Sequence, residues 1–149
     1  MEWLKKIYKT ILEIKEDNLP YDNIQIGEQV IIHLVKEGQT IRTIRSEGHT
    51  WNSTGLEKIR EWLRTGSADR PNSFTTTGGG WAAANPIDPG ISTVACWLGT
   101  FVAAGAISGI SDIRLNYGAT TYATFPVTTF TKPDGIQMDI RWESTISGV

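Results

Sequence analysis

The chain carries one cysteine and two histidines among 149 residues, which leaves little metal-ligating or redox chemistry to build with. Cys96, inside the apolar run Thr93-Val94-Ala95-Cys96-Trp97-Leu98, has no second thiol to pair with and reads as a small buried hydrophobe. His33 and His49 show no spacing of the kind that helical zinc sites use, and each reads as a hydrogen-bonded structural residue. No metal or cofactor is expected. There is no excess of basic charge either: 14 Lys and Arg stand against 16 Asp and Glu, with a net charge of −2 and a pI near 5.7. A chain of this balance lacks the cationic surface that nucleic-acid binding needs. No apolar run approaches the ~18 residues of a membrane span. The interleaved charges after Met1 form no continuous apolar segment of a signal peptide, so synthesis and assembly in the cytosol are expected.

Catalytic patterns are scarce as well. No Gly-x-Ser-x-Gly elbow occurs, and Gly78-Gly79-Gly80 is not followed by the Lys-Ser/Thr of a phosphate loop. Asp139 and Glu143 share one side of a strand, but four residues at ~3.4 Å each separate them by roughly 13 Å, beyond the ~5–9.5 Å of paired glycosidase carboxylates. Asn52-Ser53-Thr54 matches a glycosylation sequon but overlaps a helix start. The expectation is a protein that is not an enzyme.

What is present divides unevenly. Positions 1–70 hold 11 basic and 11 acidic residues, whereas positions 71–149 hold 3 and 5 and are rich in Gly, Ala, Thr and aromatics. The length fits one domain with a terminal arm. Residues 1–20 form that arm: Trp3, Leu4, Ile7, Tyr8, Ile11, Leu12 and Ile14 cover about half of a helix circumference over residues 2–17, and Asn18-Leu19-Pro20 ends it. Lys5, Lys6 and Lys9 near its positive end and Glu13, Glu16 and Asp17 near its negative end oppose the macrodipole, so the helix depends on packing for order. Two placements are open to it, its own domain or a neighbouring subunit.

Residues 21–149 read as a β-rich domain. The nearly continuous apolar run 29–35 predicts a strand buried on both faces, followed by a more exposed partner over 40–46. Residues 54–65 predict a helix, with Thr54 and Glu57 as a capping box and Leu56, Ile59, Trp62 and Leu63 on one face. Residues 67–90, with Thr75-Thr76-Thr77, three glycines and Asp88-Pro89-Gly90, read as a long loop, the length of which points to function, disorder or a hidden strand. Trp81 within it is a candidate contact residue. Residues 92–104 and 110–117 have strand character. Residues 120–130, the turn Lys132-Pro133-Asp134-Gly135 and residues 136–146 form a hairpin in which Met138, Ile140, Trp142 and Ile146 alternate with Gln137, Asp139, Arg141, Glu143 and Thr145. The expected fold is mainly β, a sandwich or barrel-like domain bearing a capped helix, plus the N-terminal amphipathic helix.

The order Asn52-Ser53-Thr54-Gly55-Leu56, a Gly/Thr-rich loop, Ser111-Asp112-Ile113-Arg114-Leu115, the strand end Phe125-Pro126 to Thr131-Lys132 and a closing strand with Trp142 at its centre resembles a family of small structural proteins of tailed bacteriophages and related viruses. The resemblance spans roughly residues 46–147. It implies a virion subunit, assembled in the host cytoplasm, in the tail, baseplate, neck or fibre attachment region or on the capsid surface as cement. Its partners would be copies of itself and other virion proteins, met through Trp3, Leu4, Ile7, Tyr8, Ile11 and Trp81. The alternative is a host-glycan receptor-binding module in which Trp51, Trp81 and Tyr117 form a stacking platform.

Overall fold

The alternation along the last strand places it at the middle of a sheet, where one face needs apolar side chains. The computed structural model describes residues 2–7, 25–91 and 94–147, and in it β9 (Gln137–Ser147) is paired on both sides. Its antiparallel neighbours are β1 (Gln25–Lys36) and β6 (Val94–Phe101). With β2 (Gln39–Gly48) and β5 (Asn85–Ile87) they make a five-stranded sheet in the order β2-β1-β9-β6-β5. Strands β3 (Ser73–Thr76), β4 (Trp81–Ala83), β7 (Ile107–Tyr117) and β8 (Thr120–Lys132) make the second, in the order β4-β3-β7-β8. Two antiparallel sheets packed face to face form a β-sandwich. Residues 2–7 are helical (α1), and α2 spans Ser53–Thr65.

Val30, Ile32 and Leu34 of β1 and Met138, Ile140 and Trp142 of β9 point inward to meet Phe74, Ile113, Leu115 and Phe125 of the other sheet. Trp142, 0% exposed, stacks on Phe74 with centroids 6.2 Å apart and meets the edge of Phe125 at 5.6 Å. Opposite them, Gly99 of β6 leaves the space that Phe74 fills, since a Cβ there would lie 2.5 Å from the Phe74 ring and 2.6 Å from the Ala83 carbonyl oxygen.

Three sequence expectations change. Residues 67–90 are not one long loop: they contain β3, β4 and β5, strands of four, three and three residues. Elements so short carry too few residues for a period to show, and Gly79 and Gly80, both at positive φ, supply the turn between β3 and β4. Residues 29–35 are fully buried on one face, while on the other Ile31 is buried and Gln29, His33 and Val35 are half-buried. The cap of α2 is Asn52, not Thr54: the Asn52 side-chain oxygen accepts the Gly55 N–H at 2.9 Å and the Asn52 carbonyl accepts the Leu56 N–H at 3.0 Å. Asn52 also bonds β8 through its own N–H and side-chain amide, to the carbonyls of Tyr122 and Thr121. That second duty moves the helix start two residues forward. The side chains of Trp62, Leu63 and Ile146 lie outside the described residues, as do residues 8–24 with Tyr8, Ile11, Leu12, Ile14 and Pro20.

Replacing Gly99 by Ala is expected to lower the unfolding free energy by about 1–3 kcal/mol, because the added methyl forces Phe74 or the β4 backbone to shift. Denaturant unfolding checks this, and an unchanged midpoint would show that the sheets are not in contact at that point.

Candidate functional site

The two ends of the sandwich are finished differently, and the difference defines where contacts can form. At one end lie α1, α2 and the link between β2 and α2. Leu4 and Ile7 are buried there, with Ile7 against Ile59 of α2, and Trp3 packs edge-on to Trp97 at 5.5 Å. Of the two placements open to the N-terminal helix, residues 2–7 take the intramolecular one. The expectation that Trp3, Leu4 and Ile7 form a docking face is therefore corrected: Leu4 and Ile7 are buried within the chain, and Trp3 is half-buried against Trp97 and the Ile7–Ile59 pair. Tyr8 and Ile11 lie outside the described residues.

Glu28 organises the link beneath. Only 4% exposed, its carboxylate accepts the N–H groups of Thr50 at 2.8 Å and Trp51 at 3.0 Å. Burial raises its pKa, while those two bonds and nearby His49 oppose the rise. His49 in turn donates from Nδ1 to the Ile26 carbonyl at 3.2 Å. Trp51, thus held, lies between Trp97 and Tyr122, with centroids 6.2 and 6.4 Å away, and its indole N–H donates to the Ser144 hydroxyl at 3.0 Å. Tyr122 donates to the Asp69 carbonyl at 3.0 Å, and burial pushes its phenol up to about 12.

The opposite end, eight residues of β6 away, is the mirror case: a buried cation instead of a buried anion. Lys132, 1% exposed, donates from Nζ to the carbonyls of Gly105 at 2.6 Å, Ala103 at 3.2 Å and Pro133 at 3.4 Å. Burial lowers its pKa. Asp134 accepts the Gly105 N–H at 2.8 Å, and the Gly135 N–H donates to the Ala103 carbonyl at 2.8 Å. The turn after β8 and the loop after β6 are thereby tied into one rigid tip. What that tip presents is apolar: Val102 is 69% exposed, and Ala104 and Ala106 are exposed beside it. Sequence reasoning extended a strand over residues 92–104 and missed this, although the run of small residues between Phe101 and Ile107 has nothing large enough to bury.

The expected aromatic platform is not assembled. Trp51 is half-buried in its ring stack, Tyr117 is exposed near the helical end, and Trp81 alone, 65% exposed, stands on the outer face of the second sheet. On the outer face of the first sheet, Asp139 accepts from Thr100 at 2.8 Å and Gln137 at 2.9 Å, Arg141 donates to Glu143 at 2.6 Å, and His33 shares a hydrogen bond with the Thr43 hydroxyl at 3.0 Å. These polar groups satisfy one another, Gln137–Asp139 and Arg141–Glu143 along β9 and Thr100–Asp139 and His33–Thr43 across adjacent strands. Cys96 is buried, and burial raises its thiol pKa, which keeps the reactive thiolate scarce. Among the described residues no cluster of His, Cys, Asp or Glu could hold a metal ion, and no helix is long and apolar enough to cross a membrane. No protein-family model, curated protein or solved structure matches the chain.

Two outcomes follow from the buried polar groups. Because the folded Tyr122 phenol ionises near 12 and an unfolded one near ~10, its contribution to stability is complete below about pH 10 and is lost as pH rises through the folded value. Tyr122→Phe should remove that alkaline component, read from unfolding free energies alongside phenolate absorbance. Replacing Lys132 by Met strips three carbonyls of their donor and should cost about 1–3 kcal/mol. Faster amide exchange confined to residues 102–106 and 133–136 would mark the tip as the part released.

Proposed function

We propose that the chain is a non-catalytic structural subunit of a tailed-virus particle, in the tail, baseplate or neck or on the capsid surface, that works through repeated contacts with its own copies and with other virion proteins. The residue pattern over 46–147 supports the setting. The observation that carries the contact role is the tip around Val102. An exposed apolar side chain on a loop that a buried lysine and an aspartate hold rigid is preorganised for a partner, so little ordering entropy opposes its burial.

Magnitudes decide how such a tip can be used. Burying one valine contributes about 1.5 kcal/mol, whereas association costs about 4–15 kcal/mol in lost translational and rotational freedom. One tip cannot hold two molecules together. It acts as part of a wider interface or in a symmetric array, where the same contact recurs on every copy. The exposed apolar residue Ile41, on edge strand β2 at the same end of the sandwich, is available to widen it. The virion is thus the place where the protein acts, after assembly in the host cytoplasm.

Val102→Asp in the full chain is the test. A charge at the tip should weaken self-association or incorporation into particles on the order of tenfold or more, read by sedimentation and by the protein content of purified particles. Circular dichroism and the unfolding midpoint should stay as they are, since the side chain is 69% exposed. Unaltered association and incorporation would remove the tip from the interface and the reading with it.

A further inference from the structure

The outer face of the second sheet carries a feature that the tip does not explain. Trp81 of β4, Thr75 of β3, Arg114 of β7 and Thr124 of β8 stand in one cross-strand row. Adjacent strands are about 4.8 Å apart, so Thr75, a short side chain, floors a shallow trough roughly 10 Å wide between the indole and the guanidinium. The polar groups of the trough are held in place. Asp112 pairs with Arg114, Oδ1 lying 3.1 Å from Nε and Oδ2 accepting from Nη2 at 3.5 Å, which leaves Nη1 as a donor. The Thr121 hydroxyl donates to the Asn116 side-chain oxygen at 2.8 Å, and the Asn116 amide donates to Thr75 Oγ1 at 3.0 Å. Thr75 accepts in that bond, so its own O–H is a donor to the trough.

We propose that this trough is a binding site for a neutral pyranose, stacked on Trp81 and hydrogen-bonded by Thr75 and Arg114. Three observations select that chemistry. An exposed indole supplies a flat apolar surface for the C–H face of a sugar ring. Its row neighbours Thr75 and Arg114 bring hydroxyl and guanidinium donors, which sugar hydroxyls can accept, to the edge of that surface. The single cation of the row is matched by Asp112, so the face complements a ligand rich in hydroxyls and free of net charge. The site is independent of the Val102 tip: it lies on the sheet face, whereas the tip closes one end.

The experiment is acrylamide quenching of intrinsic fluorescence in the full chain, with and without soluble oligomers of glucose, galactose, mannose and N-acetylglucosamine as probes. Among the described tryptophans Trp81 is the exposed one, the others being buried or half-buried, so a ligand on it shields its share of the quenchable fluorescence. Shielding by at least one probe is expected, lost in Trp81→Ala, largely kept in Trp81→Phe, and weakened on the order of tenfold in Arg114→Met. Val102→Asp should bind the sugar as the parent chain does, so failure of the assembly reading leaves this one standing. No shielding by any probe, shielding that survives Trp81→Ala, or shielding that appears only as the protein self-associates would overturn the proposal, the last by assigning the face to a protein partner.

Discussion

Contact between one indole and two phenyl rings sets the distance between the sheets, and the rest of the molecule is arranged around that distance. Trp142 lies on the central strand of one sheet, and Phe74 and Phe125 belong to the other. Its indole nitrogen has no hydrogen-bond partner among the described residues, which costs about 1–3 kcal/mol. Burying some 200 Å² of tryptophan at ~25 cal/mol per Å² contributes about 5 kcal/mol. Burial wins, and the position tolerates an unpaired donor because the ring is more useful there than its N–H. Gly99 belongs to the same constraint, since it is the absent side chain that lets Phe74 reach across.

A sandwich fixed in this way leaves two open ends, and each is closed by a buried charge that binds backbone rather than an opposite charge. Glu28 gathers two N–H groups of the link to α2, and Lys132 gathers three carbonyls of adjacent turns. Backbone groups bunched in a loop have no ladder to join, and a carboxylate or an ammonium satisfies several of them at once. The consequence is local rigidity at both ends with different outcomes. At the Glu28 end the order serves internal packing, which Trp3, Leu4 and Ile7 complete. At the Lys132 end it projects an apolar tip outward, and the proposed contact role grows from that asymmetry.

Much of this framework is legible in the amino-acid order. The hairpin of β8 and β9 follows from alternation and from Pro-Asp-Gly, and α2 follows from its apolar spacing, although the identity of the capping residue does not. Asn52 caps the helix because its own N–H and side-chain amide are already committed to β8, a long-range fact that local rules favouring Thr54 could not contain. The strands within residues 67–90 are hidden for another reason. A three-residue strand such as Trp81-Ala82-Ala83 is held by pairing and by what Ala82 fits against, and neither leaves a periodic trace. The candidate contact residues divide along the same line: Trp81 is exposed as its flexible-looking surroundings suggest, while Trp3 and its neighbours are apolar residues whose amphipathic face suits an internal seat and a partner equally well.

By itself the sequence determined the class of protein this is: a β-rich domain with one well-specified helix and no excess of basic residues, because alternation, turn residues and charge balance are local quantities that survive in one dimension. Only the tertiary structure decided which apolar residues are spent on the core and which remain outside. Residues 2–7 turned inward, the aromatic trio was dispersed, and Val102 and Trp81 were left facing solvent. Exposure depends on what lies opposite a side chain in space, and that neighbour is set by the packing of two sheets whose strands come from distant parts of the chain.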